Sequence, residues 1–351
     1  MSDEYDLPIR SEPSTNVVFA RALLAALAVV ALVPPVIVLA GAIVPDVPLV
    51  GRFGAFVDSS LAQLWLMIVG AIVLAATAIW LARSGFGVAV LVVAFVVGAG
   101  AGVVTIQVFV FAREQGAQVA LLRQLTGGPS PGSPDAHLTI ATVDGETLEA
   151  EVWRAPEGAP NDSPTGRPAV VFVHGGGFAG GGLGMRTYTF RLLADAGYPV
   201  VDVEYRLTPP PRWGDAPRDV ACALAWLPSV APQYGIDVGR VASMGESAGG
   251  SLALVAGYGA GTAGLRASCA GTPIRPAAVV AIAPAADLEG IWEDRTLFVE
   301  GRPFPEAYVG GTPDDVPERY EAATPFHLAE PESPPTLIVG GAIDHLVRPA
   351  R

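Results

Sequence analysis

The chain has 351 residues, and its 34 acidic against 21 basic residues leave a formal charge of −13, a balance that argues against nucleic acid or an anionic lipid surface as the partner of its water-exposed part. Every basic residue is arginine, which excludes the lysine-dependent phosphate loop of nucleotide-binding proteins. Two cysteines, Cys222 and Cys269, are too few for a disulfide framework or a metal cluster, and fit one disulfide or two buried thiols equally well.

Residues 1–21 form a short polar tail ahead of an almost wholly apolar region, 22–112. Three runs in it, Ala22–Val44, Leu61–Leu81 and Val88–Phe111, reach the length of about 20 residues that a helix needs to cross a bilayer, so three transmembrane helices are predicted. The connecting segments are too short to fold into a soluble domain around them. "VLAGA" at Val38–Ala42 offers small residues for signal cleavage, but the run is too long and the tail before it is acidic rather than basic. Pro34 and Pro35 predict a kink in the first helix, and Gly98 with Gly102 forms a small-xxx-small pair that would let another helix approach. No span carries a charged residue in its interior, which argues against a transporter.

An inside N-terminus places Arg10, Arg21 and Arg83 in the cytoplasm and Arg52, Arg113 and Arg123 outside, an even division. Arg21 and Arg83 directly abut spans, which favours the inside orientation. A multi-pass protein of the cell membrane results, with everything after Phe111 outside the cytoplasm.

Residues 113–137 read as a linker, rich in Gly, Pro and Ser from Leu125 onward, and a second domain is predicted over 138–351. It opens on a hairpin, "LTIATV" and "TLEAEVW" around the turn pair Asp144-Gly145. Five continuous apolar strands follow, ending near His174, Tyr205, Met244, Ala283 and Gly340, with helical stretches such as "DAPRDVACALAWL" between them. Apolar strands alternating with helices indicate a mostly parallel sheet with helices on both faces, an α/β fold with a leading antiparallel hairpin.

Sites in such sheets gather at the carboxyl ends of the strands. After the strand ending at Met244, Gly245-Glu246-Ser247-Ala248-Gly249 fits G-x-S-x-G, whose glycines allow a sharp strand-to-helix turn with the serine hydroxyl exposed. "HGGGF" at His174–Phe178 follows another strand end, and its glycines let backbone N–H groups turn toward a developing oxyanion. His174 is expected to brace that loop rather than react, and Glu246 to shape the turn.

Taken in order, "HGGGF", "VEYRLTPP", "GESAGGSLAL" and "PPTLIVGGAIDHLV" resemble the bacterial hormone-sensitive-lipase-like esterases of the α/β-hydrolase superfamily, over roughly Leu138–Arg351. The resemblance implies an α/β-hydrolase fold with Ser247 as nucleophile, the N–H groups of Gly175, Gly176 and Ala248 as the oxyanion hole, and Asp344 as the triad acid. Asp344 also lies just past a strand end and follows the nucleophile, as the superfamily's chain order requires; Asp287 is the second candidate. The implied reaction is acyl transfer through an acyl-serine, with no cofactor and no metal. The implied substrate is a small carboxylic ester of short or medium acyl chain, an aryl formamide being the variant. Nothing in the sequence indicates an oligomeric state.

The base is the open point. The histidines are His137, His174, His327 and His345, and none follows Asp344 at the spacing the superfamily uses. The expectation is that the domain lacks its C-terminal part, that the base lies past Arg351, and that residues 1–351 alone hydrolyse esters poorly and expose an apolar sheet edge. His345 would serve only if the acid loop were rebuilt. A hydrolase-fold binding protein without turnover is the competing class.

Overall fold

The computed structural model describes residues 15–44, 66–74, 76, 85–114, 132–262, 264–293, 301–341, 344 and 347. The chain divides into two units, Met1–Pro129 and Ser130–Arg351.

In the first unit, helix α1 spans Thr15–Ile43 with Pro34 and Pro35 inside it, residues 66–74 are helical, and α2 spans Gly85–Glu114. Within α2, Val88–Phe111 is long and apolar enough to cross a membrane; its 24 residues rise about 36 Å, against a hydrocarbon core of about 30 Å. It is the one such helix among the described residues, and much of the second predicted span lies outside them. Leu39, Ala71, Ala94, Val97, Ala101 and Val104 form a buried cluster joining the three helical segments. Phe95 and Ile106 of α2 are 73% and 63% exposed, an apolar surface that water does not favour and lipid does. The expected glycine pair is corrected in part. A Cβ on Gly98 would stand 3.5 Å from that of Ala71, whereas Gly102 faces open space and Gly100 instead lies against Leu39 at 3.5 Å. The close approach therefore uses Gly98 and Gly100, which a four-residue spacing rule does not pair.

The second unit is built on a seven-stranded sheet in the order β1-β2-β4-β3-β5-β6-β7. The strands are β1 Ala136–Val143, β2 Glu146–Trp153, β3 Arg167–Val173, β4 Val200–Val203, β5 Ile236–Glu246, β6 Ala278–Ile282 and β7 Thr336–Val339. β1 and β2 form the predicted hairpin, with Asp144 and Gly145 at φ 52° and 86°, the positive values a two-residue hairpin turn needs. β2 joins β4 antiparallel, and β4, β3, β5, β6 and β7 run parallel.

Helices α3 Thr187–Asp195, α4 Ala216–Val230 and α5 Ala248–Gly259 cover the sheet; α6 Leu288–Glu293, α7 Pro303–Val309 and α8 Pro317–Ala323 lie in the long connection between β6 and β7. In α4, Val220, Leu224 and Leu227 recur at helical spacing and are fully buried. In α5, every residue from Ala248 to Gly257 is buried, so this helix has no water-facing side and shows none of the amphipathic period of a surface helix. Cys222 of α4 and Cys269, in the loop after α5, form a disulfide. β7 ends the sheet order, and its Leu337 and Ile338 are 57% and 59% exposed.

Candidate active site

β5 runs straight into α5 through Ser247, which sits at φ 54°, ψ −121° as the helix N-cap. A non-glycine residue with positive φ of this kind costs about 1–3 kcal/mol, and its neighbours hold it there. The Ser247 N–H donates to Ile282 O at 2.8 Å, and Ser247 O accepts from Ala285 and Ser251 N–H, each at 3.1 Å. The glycines on either side are sterically required. A Cβ on Gly245 would lie 2.2 Å from Gly249 O, and one on Gly249 would lie 2.2 Å from the carbonyl oxygens of both Val173 and His174.

Those two carbonyls belong to the end of β3, so the same contact that permits the elbow seats the glycine loop against it. Gly175 is close enough that a Cβ there would stand 3.0 Å from Glu246 O and 3.4 Å from Ser247 Cβ. Gly176 and Gly177 take φ 124° and 62°, and the space above Gly177 is filled by the Phe304 ring of α7, 2.3 Å from where a Cβ would be. The N–H groups of Gly175, Gly176 and Ala248 have no hydrogen-bond acceptor among the described residues. His174 is buried, its Nδ1 2.8 Å from Gly175 O, and its ring stacks on Tyr205 with centroids 4.4 Å apart. Burial lowers its pKa, the Gly175 contact opposing; the ring is neutral near neutral pH and braces the loop as expected.

Gly175, Gly176, Ser247 and Ala248 line one cavity of about 450 Å3, whose other walls are mostly apolar: Phe172, Met185, Leu288, Ile291, Phe304 and Val347 among them. Arg186 and Glu246 line it too, and their side chains form a bidentate ion pair. This pair, which clamps the segment after the glycine loop to the residue beside Ser247, was invisible in the sequence, because its members stand 60 positions apart. Glu246 does shape the elbow, and Arg186 is its partner in doing so.

Asp344 lies past β7, half-buried; its Oδ1 accepts the Val347 N–H at 2.8 Å, and Val347 lines the cavity. Asp287 caps the start of α6 by accepting the Gly290 N–H at 2.8 Å. No described histidine lines the cavity. His137 pairs with Glu151 at 3.2 Å, His327 packs on Phe326, and His345 lies outside the described residues. The arrangement has a hydroxyl at a helix N-terminus, unengaged N–H groups beside it and an apolar chamber large enough for an acyl group, which are parts that acyl transfer needs.

The BD-FAE family model matches residues 159–351. Among characterised relatives, an ethyl acetate hydrolase of Pseudomonas putida is 40% identical over 34% of this chain and 36% of its own length. Esterase LipC of Mycobacterium tuberculosis is 32% identical over 56% of this chain and 48% of its own. The chain thus spans half or less of the curated relatives it matches. Among solved structures, a hyperthermophilic esterase from the archaeon Pyrobaculum calidifontis aligns at 28% identity over 60% of this chain and 66% of that one, with a TM-score of 0.49. Since the family model covers more than half of the chain and spans the glycine loop, the Ser247 turn and the segment around Asp344 together, the protein belongs to the BD-FAE family.

Proposed function

We propose that the protein is a membrane-anchored serine esterase that cleaves small carboxylic esters of short or medium acyl chain. The observation that carries this reading is Ser247 at positive φ, facing the same apolar cavity as the Gly175–Gly177 loop. In the proposed mechanism Ser247 Oγ attacks the ester carbonyl while a histidine removes its proton. The carbonyl oxygen, now an oxyanion, is held by the N–H groups of Gly175, Gly176 and Ala248, and Asp344 orients the histidine. The histidine protonates the departing alkoxide, leaving an acyl-Ser247, and then activates a water that releases the acid.

The base role falls to a histidine outside the described residues, since those described lie elsewhere. Of the four histidines in the sequence, His345 is the one outside the described residues. Purified protein is expected to hydrolyse p-nitrophenyl butyrate, and residues 1–351 expressed by themselves to do so readily only if His345 is the base. Robust turnover by 1–351 that vanishes in His345→Ala would make His345 the base. No turnover by the protein on any p-nitrophenyl ester from acetate to decanoate would favour the binding-protein reading.

The proposal also places three spans in the membrane and the hydrolase unit outside the cytoplasm. The Cys222–Cys269 disulfide supports this placement, because disulfides persist in oxidising compartments. Protein denatured directly from cells in the presence of a thiol alkylator should take up label only after reduction. Immediate labelling of both cysteines would put the domain in the cytoplasm. Cys222→Ser with Cys269→Ser should cost about 2–4 kcal/mol of domain stability, a range set by the loop the bond closes.

A further inference from the structure

Two buried carboxyl groups that the mechanism does not use lie beside the cavity. Glu151 of β2 and Asp202 of β4 are direct cross-strand partners, so their side chains leave the same face of the sheet. On its other side Asp202 is paired with Phe172 of β3, a cavity residue. Asp202 has no exposed surface and Glu151 is 7% exposed. Asp202 Oδ2 accepts the Gly184 N–H at 2.7 Å, and Glu151 Oε1 meets His137 Nε2 at 3.2 Å. The other oxygens, Asp202 Oδ1 and Glu151 Oε2, have no hydrogen-bond partner among the described residues. Both groups converge on Gly184, where a Cβ would stand 3.7 Å from Glu151 Oε2.

Two orphaned carboxylate oxygens in a buried setting are expensive as a pair of charges. A single proton resolves both, one carboxyl donating its O–H and the other accepting. We infer that Asp202, joined to Glu151 through one shared proton, is a positioning residue that seats the segment 182–186 and with it the cavity walls Met185 and Arg186. The inference rests on the esterase reading of that cavity.

The electrostatics agree with the geometry. Burial above all pushes the Asp202 carboxyl up to about 8; the Gly184 N–H pulls against this, and the charges of Glu151 and Glu204 add to it. Around the pair stand Glu149, whose N–H donates to Glu204 Oε2, and His137 on Glu151. From the covering segment and α3, Arg186 reaches Glu246 and Arg191 reaches Asp135. As pH rises through about 8 Asp202 ionises; the Gly184 N–H still holds the carboxylate, but repulsion from Glu151 across the strands drives the two side chains apart and shifts the segment that Gly184 carries.

Asp202→Asn is the decisive variant, because its amide N–H donates to Glu151 Oε2 while its carbonyl accepts from Gly184, with no proton to lose. In the detergent-solubilised protein with p-nitrophenyl butyrate, the wild-type KM should rise about tenfold from pH 7 to pH 9.5 as Asp202 ionises. Asp202→Asn should match the wild-type KM and kcat at pH 7 and keep KM flat, while Asp202→Ala should raise KM at both pH values. Trypsin cleavage after Arg186 reads the segment without turnover: it should accelerate between pH 7 and 9.5 in the wild type relative to Asp202→Asn. Loss of turnover in the wild type with this proteolysis pattern intact would defeat the esterase reading and keep the anchor. An alkaline rise in KM and in cleavage that is equal in wild type and Asp202→Asn, or an Asn variant as impaired at pH 7 as the Ala variant, would overturn the inference.

Discussion

Ser247→Ala should lower kcat for p-nitrophenyl butyrate by about 10⁴ to 10⁶-fold, the scale of loss when a triad nucleophile is removed. The fold should survive. The backbone hydrogen bonds of the elbow run through Ser247 N and O, which alanine keeps, and the positive φ is already supported by Gly245 and Gly249 on each side. Circular dichroism and the melting profile should therefore stay near wild type while turnover disappears. A variant that keeps more than about a tenth of the activity would remove Ser247 from the chemistry, since no background route in the same cavity accounts for that much rate.

Gly249→Ala should also be damaging, to a smaller extent and for a different reason. The added methyl would lie 2.2 Å from two backbone carbonyl oxygens, of Val173 and His174, and neither atom can swing away as a side-chain tip could. Overpacking of this kind costs about 1–3 kcal/mol, and relieving it means moving the end of β3. That strand end carries His174 and the Gly175–Gly177 loop, so the relief draws the oxyanion donors away from Ser247. A displacement of about 1 Å in such a site is worth about 10²-fold in rate. Gly249→Ala should thus lose stability and kcat together, with KM affected less. Normal kcat in a destabilised protein would show that the β3 contact is structural only.

The parts of this fold that were legible in the sequence are those with local causes. Asp144-Gly145 announces a turn that needs positive φ, and the structure has it. G-x-S-x-G and "HGGGF" announce backbone that must pass where a Cβ cannot, and the 2.2 Å contacts at Gly245 and Gly249 are the reason. What stayed hidden depends on which distant residues the sheet brings together. Arg186 with Glu246, and Glu151 with Asp202, become neighbours only through strand order and register. Read as part of the apolar strand "VVDVEY", Asp202 gives no sign in the sequence that its carboxyl is buried beside Glu151. In the first unit the helix contact uses Gly98 and Gly100 rather than Gly98 and Gly102, because the partners there are two different helical segments and not one.

The central claim, that Ser247 is the acylated nucleophile of an esterase, is tested most directly by treating membranes that contain the protein with a fluorophosphonate probe and mapping the adduct by peptide mass spectrometry. The account predicts a single phosphonylated site at Ser247, blocked by prior incubation with a p-nitrophenyl ester and absent in Ser247→Ala. Labelling that persists unchanged in Ser247→Ala, or an adduct on another residue, would contradict it.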